Sequence, residues 1–237
     1  MSDTGARARW IVLGAVVATF VLYRVPYGAY VVYPMMLLST YAHEMGHGVT
    51  AVLVGGRFDR FVMYADGSGA AYTATALGIQ RALVAAGGLV GPAILGAVLF
   101  MAAARPKLAR AALWTFAIAV VLSLLLVVRN PFGWAFLAIV AVATGAVASR
   151  GSELAGQCTL AFIAAQMAAS VFSRGDYLFT PTAQTAAGAM PSDVAQISEV
   201  LLLPYWVWGA LCGLVSIAVL VGGLAVFWRA TSLSDAQ

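Results

Sequence analysis

Tyr41-Ala42-His43-Glu44-Met45-Gly46-His47-Gly48 holds both histidines of the chain, four residues apart, with a glutamate directly after the first. The stretch lies inside an apolar run from 25 to 54. Such a run reads as a helix of membrane length, and on a helix residues i and i+4 share a face one turn apart. His43 and His47 can therefore offer two imidazole nitrogens to one metal ion. Glu44 is displaced around the helix but close enough to reach a water on that ion. The spacing is H-E-x-x-H, whose mechanics are two zinc ligands and a general base. Ionisable side chains in the middle of a lipid-length helix are costly and mark function. The plainer alternative is a pair of buried histidines bonded to neighbouring helices with Glu44 as their partner. It accounts for one histidine more easily than for two at this spacing.

The chain has 237 residues, of which 62% are hydrophobic and 9% charged. A soluble domain carries about 25% charged residues, so the composition is that of a membrane protein. The net charge of +4 comes from arginines at the ends of apolar runs. No basic cluster is long enough for a nucleic-acid surface, and none is expected as a partner. Cys158 and Cys212 stand singly in apolar segments and read as small core residues. Arg7 and Arg9 precede the run 10–23, but Arg24-Val25-Pro26-Tyr27 follows without a small-x-small cleavage site. The run is read as an uncleaved first span.

The expected fold is an all-α polytopic membrane protein, a single domain over 1–237, with about six to seven transmembrane helices. The spans fall at 10–23, 25–54, 82–104, 111–128, 132–148, 154–172 and 200–228, since about 20 apolar residues cross the hydrocarbon core. The second carries Pro26 and Pro34 and is read as opening with an interfacial segment. With seven crossings, arginine and lysine divide seven against six between the two sides, too evenly to fix orientation. Ala85-Ala86-Gly87-Gly88 and Gly91-Pro92 mark the place where a run is best read as re-entrant, because Gly and Pro loosen a helix.

Gly55-Gly56 stops the motif helix, and two β-prone stretches then flank Asp66-Gly67, which predicts a short hairpin over 57–75. Its exposed edge is a place where an extended peptide adds as a strand. Tyr64 and Gly67 are candidate substrate contacts on that hairpin. Asn130, in Val128-Arg129-Asn130-Pro131-Phe132-Gly133, returns to the side where the motif helix ends. It is expected either to hold a substrate backbone or to cap the turn.

Zinc held by two histidines needs a further protein ligand and an open position for water. No histidine remains, so a carboxylate is expected. Asp3 and Asp235 lie in the tails, Asp59 and Asp66 in the hairpin, and Glu153 on the opposite side. Asp193, Asp176 and Glu199 remain. Asp193 follows Pro191-Ser192 at the start of the last helix, with Ser192 as cap, and a carboxylate on a rigid helix start is well preorganised. Asp176 is the alternative; with Asp193 it brackets the stretch 177–192, which has no Lys or Arg and is expected to line a cavity. Gly46, Gly48 and the polar stretch 173–193 are expected to thin the packing and admit water.

Together these residues resemble the site-2 protease family of intramembrane zinc metallopeptidases, in its minimal branch without a PDZ domain. The resemblance runs from about Ser39 to Trp208. It rests on His43-Glu44-Met45-Gly46-His47, Gly67-Ser68-Gly69, Ala86-Gly87-Gly88-Leu89-Val90-Gly91-Pro92, Asn130-Pro131 and Ser192-Asp193. It implies one Zn(2+) per chain, with His43 and His47 as ligands and Glu44 as catalytic base. It further implies a membrane-protein substrate, single-pass in character, cut in or near its transmembrane segment, in the plasma or inner membrane of a bacterium. The family's Leu-Asp-Gly motif is missing, and Pro191-Ser192-Asp193 is its nearest analogue here. Two rival readings stand beside this one: an inactive protease-like scaffold that binds single-pass partners, and a zinc hydrolase acting on lipid or prenylated peptide. A single ionisable cluster disfavours transport.

Overall fold

The computed structural model describes residues 4–173, 178–186 and 188–235. In chain order the elements are α1 (Thr4–Leu22), α2 (Gly28–Leu53), β1 (Arg57–Met63), β2 (Gly69–Ala74), α3 (Ile79–Ala103), α4 (Pro106–Leu126), α5 (Pro131–Arg150), α6 (Glu153–Ser173), β3 (Thr182–Thr185), β4 (Gly188–Pro191), α7 (Asp193–Leu201) and α8 (Tyr205–Asp235). Proline lacks the amide hydrogen that a helix start does not need, and Pro106 and Pro131 accordingly open α4 and α5. Among the described residues six helices, α1, α3, α4, α5, α6 and α8, are long and apolar enough to cross a membrane. Exposed apolar side chains such as Ile139, Val142, Leu214 and Val221 cover their outer faces, the arrangement that lipid rather than water stabilises. The protein is an integral, multi-pass membrane protein.

Three expectations about the bounds of the helices change. First, α2 has 26 residues but is not among the apolar six. Its histidines, glutamate, glycines and threonines lower its hydropathy, and they face α3, the hairpin and the cleft between them. It is one continuous helix from Gly28 with Pro34 inside it. Second, the stretch 85–92 is not re-entrant. It lies within α3, which is continuous over 25 residues with Pro92 inside it. Third, Asp193 does not open the last span. It opens α7, a helix of nine residues that ends at Leu202 in the left-handed conformation, φ 62°, with Pro204 two residues on. Proline disfavours helix in the residue before it, so α8 starts afresh at Tyr205.

The glycines of α3 bring backbones together. α3 lies at the centre, packed against α2, α6, α7 and α8. A Cβ on Gly46 of α2 would run into the Gly87 carbonyl oxygen, and one on Gly88 would run into the His47 ring. Small residues at a crossing allow this approach, which dispersion and Cα–H contacts reward where no hydrophobic effect acts between helices. Gly46 and Gly48 do not open a water path, because the Gly87 backbone lies against the first and the Phe58 ring against the second. Leu37, Leu38, Tyr41, Phe61, Met63, Phe100 and Leu113 belong to the main buried cluster. Tyr41 Oη donates to Ser123 Oγ at 3.1 Å and ties α2 to α4.

The hairpin expected at 57–75 is present. β1 and β2 pair antiparallel, with a bulge between Phe58 and Arg60. Its turn uses Gly67 at φ 89°, and Asp66 Oδ1 accepts from Ser68 N at 2.9 Å and Ser68 Oγ at 2.7 Å. Those Ser68 bonds hold the Asp66 carboxyl below its ordinary pKa. The outer edge of β1 is covered: Phe61 N donates to Val127 O at 2.7 Å and Arg129 N to Phe61 O at 3.0 Å. The second hairpin, β3 with β4, is new relative to the sequence reading. Ala186 N donates to Ser68 Oγ at 3.2 Å, so the two hairpins meet at their turns.

Candidate metal centre

His43 and His47 stand one turn apart on α2, as the spacing requires, with their Nε2 atoms 3.1 Å apart. Asp193 arrives from the far end of the sequence. Its Oδ2 lies 3.1 Å from His43 Nε2 and its Oδ1 3.4 Å from His47 Nε2. Among the described residues these three form a group whose ligand atoms lie within 4.8 Å of one another. Of the two candidate third ligands, Asp193 is therefore the one beside the histidines, while Asp176 lies outside the described residues. Glu199 is instead paired with Arg81 at 3.2 Å, and Asp59 with Arg57 at 3.5 Å.

The donor set fits a divalent cation such as zinc. His47 Nδ1 lies 2.8 Å from the Val84 carbonyl of α3. A carbonyl only accepts, so Nδ1 carries the proton and Nε2 turns its lone pair to the group. Asp193 Oδ2 is buried and has no hydrogen-bond donor among the described residues, although His43 Nε2 is near. Two imidazole nitrogens and an unsatisfied carboxylate oxygen aimed at one point would be costly in a buried place, and a shared cation offsets that cost.

Local structure explains why Asp193 points inward. Ser192 caps α7, its Oγ accepting from Ala195 N at 3.2 Å and donating to Thr180 O at 2.6 Å. Ser192 N donates to Pro181 O at 3.0 Å. The cap expected from Ser192-Asp193 is thus formed, and Asp193 occupies the first helical position. Val194 and Ile197 bury the inner face of α7.

Glu44 is buried at 6% exposure, and its Oε2 accepts from Ala71 N of β2 at 2.6 Å. The pairing of β1 with β2 explains why that amide is available. Phe61 bonds outward to Val127 and Arg129, so its partner Ala71 also turns its N–H and C=O away from β1. The outer edge of β2 therefore faces a cleft of about 380 Å³. His43, Glu44, His47 and Asp193 line it, with 69–75 on one wall and Met190, Pro191 and Gln196 on the other.

Tyr64, Gly67 and Asn130 do not line this cleft. Asn130 grips the β1 backbone: its Nδ2 donates to Met63 O at 2.6 Å and its Oδ1 accepts from Met63 N at 3.1 Å. Gly67 O accepts from Thr40 Oγ1 of α2 at 2.6 Å, and Tyr64 closes the turn through its backbone. Gly67 thus ties the hairpin to the motif helix, Asn130 ties it to the start of α5, and Tyr64 closes its turn. The sequence reading did not find the Val84 carbonyl, the Ala71 amide or the second hairpin. The first two act through main-chain atoms, which leave no side-chain signature.

Comparisons with curated proteins and with solved structures each give no match. The Peptidase M50B-like family matches residues 12–223, most of the chain and all of the ligand group. With a matched span this long enclosing His43, Glu44, His47 and Asp193, the chain belongs to the Peptidase M50B-like family, membrane metallopeptidases of the site-2 protease kind.

Proposed function

We propose that this protein is an intramembrane zinc endopeptidase, which in the plasma membrane of a bacterium cuts a single-pass membrane protein in or near its transmembrane segment. The observation that carries the reading is the convergence of His43 Nε2, His47 Nε2 and the Asp193 carboxylate in the cleft that also holds Glu44. One zinc per chain, held by those three residues, would act as a Lewis acid that acidifies a water and polarises a carbonyl. Glu44 is the base that takes the proton of the attacking water and returns it to the leaving amine. Its bond to Ala71 N orients the carboxylate toward the cleft. The Val84 carbonyl keeps His47 in the tautomer that ligates through Nε2.

A helical substrate shields its own carbonyls with internal hydrogen bonds, so it must be extended before hydrolysis. The outer edge of β2 serves this purpose. Its outward main-chain groups other than Ala71 N, which Glu44 holds, pair with an extended segment laid beside it. The edge of β1 is not available, since Val127, Arg129 and Asn130 occupy it. Asp193 beside both histidines supports this reading over an inactive scaffold, which a missing third ligand would have favoured.

The test is metal content and cleavage together. Detergent-purified protein is expected to carry about one zinc per chain, the stoichiometry of a three-ligand catalytic site. Glu44→Gln is expected to keep the zinc and to slow cleavage of a co-expressed single-pass reporter by about a hundredfold or more. Undiminished cleavage by Glu44→Gln, or a folded wild type that takes up no zinc, would sink the proposal.

A further inference from the structure

We propose that Arg81 is a positioning residue for the metal centre: it fixes α7, and with it Asp193, to the turn of α3 that also holds His47. The inference rests on reading His43, His47 and Asp193 as metal ligands. With nine residues, α7 is shorter than the roughly 12–15 residues at which a helix begins to stand alone. Leu202 and Pro204 separate it from α8, so neither neighbouring element continues it. Its orientation must come from contacts made across the fold.

Ile197 packs into a small apolar cluster with Ala82 and Ala85 of α3 and Cys212 of α8. Apolar contact of this kind sets the depth of α7 but constrains rotation and sliding weakly, because it has no direction. Arg81 supplies the direction. Its Nε donates to Gln196 Oε1 at 3.4 Å and its Nη1 lies 3.2 Å from Glu199 Oε2. Gln196 and Glu199 are three residues apart, hence neighbours on one face of α7. A planar guanidinium that meets two such acceptors fixes both the turn and the height of the helix. Three residues further along α3, the Val84 carbonyl holds His47 Nδ1. One turn of α3 thus grips both ligand-bearing elements. Arg81 and Glu199 are 38% and 52% exposed, so their pair contributes little to global stability. Its effect falls on where Asp193 stands.

The experiment uses the full chain in detergent, loaded with cobalt as the probe. Wild type is compared with Arg81→Ala, with Arg81→Lys, and with the swap that combines Arg81→Glu and Glu199→Arg. Three readouts are taken: the rate of cobalt loss to a chelator, the visible spectrum, and amide hydrogen exchange over 194–201. Arg81→Ala is expected to lose cobalt about tenfold faster, as removal of a ligand's supporting partner does. Its spectrum should move toward that of Asp193→Asn, and the α7 amides should exchange faster. Arg81→Lys and the swap should each recover part of all three. Wild-type rates and spectrum in Arg81→Ala, or a swap no better than Arg81→Ala, overturn the proposal. A wild type that binds no cobalt defeats the metal reading itself, and exchange at α7 still decides whether Arg81 holds that helix.

Discussion

His43 and His47 sit within a 26-residue helix pressed against α3 through Gly46, Gly87 and Gly88, whereas Asp193 opens a nine-residue helix reached through a hairpin and tied down by side chains. The first half of the centre is held by close backbone packing. The second is held by a serine cap, one apolar face and an arginine. The difference separates two kinds of failure. Damage to the α2–α3 crossing should cost fold and metal together, while damage to α7 should cost metal with the fold intact.

The largest expected effect compares the ligands themselves. His43→Ala and Asp193→Asn should each lower zinc affinity by more than about a hundredfold, beyond the usual cost of losing a ligand's supporting partner. In metal-free protein, Asp193→Asn loses a helix-start charge and the carboxylate's contacts with the two imidazoles, but the Ser192 cap remains, so stability should fall by no more than about 1–3 kcal/mol. Zinc titration and thermal unfolding with chelator present measure the two. A metal-free Asp193→Asn protein that unfolds far more easily than wild type would break the comparison, because α7 would then be a structural prop of the whole fold.

Next in size is Gly88→Ala. The added methyl group meets the His47 ring, so either the ring turns or the two helices part. Overpacking of this kind costs about 1–3 kcal/mol. Because the obstructed group is a ligand, zinc affinity should fall with stability in the same variant. Retained affinity alongside lost stability would mean that the crossing relaxes elsewhere and that the histidine pair is held by α2 alone.

The same contrast governs what could be read from the sequence. His43, Glu44 and His47 belong to one helix, so a spacing of four carries their geometry without any tertiary information. The hairpin at 57–75 was legible for a similar reason, since Asp66-Gly67 is a local turn signal. Asp193 was reached by elimination and by its serine cap, but its meeting with the histidines depends on contacts across about 150 residues of sequence. The glycines at 87, 88 and 91 were read as loosening a helix. Small residues also permit close packing, and only the partner helix decides which occurs. The strands β3 and β4 are four residues each, too short for an alternation signal. Pro204 does mark the break between α7 and α8, and a stricter reading of the residue before proline would have found it.

The smallest expected effect separates the hairpin from the metal. Asn130 holds both the N–H and the C=O of Met63, which is fully buried. Asn130→Ala leaves those two groups without side-chain partners, and each unsatisfied buried group costs about 1–3 kcal/mol where water cannot reach it. The bonds from Val127 and Arg129 to Phe61 remain, so β1 stays docked and the net loss should sit near the lower end of that range. Asn130→Asp keeps the acceptor for Met63 N but sets a carboxylate against Met63 O, and should be no better than alanine. Zinc content should match wild type in both variants. If a substrate strand pairs with β2, KM should rise several-fold with kcat nearly unchanged, because the strand edge loosens while Glu44 and the ligands stay in place. Loss of zinc from Asn130→Ala would show the opposite coupling: the hairpin, through Ala71 and Glu44, would then be part of what holds the metal, and the centre would have three supports in place of two.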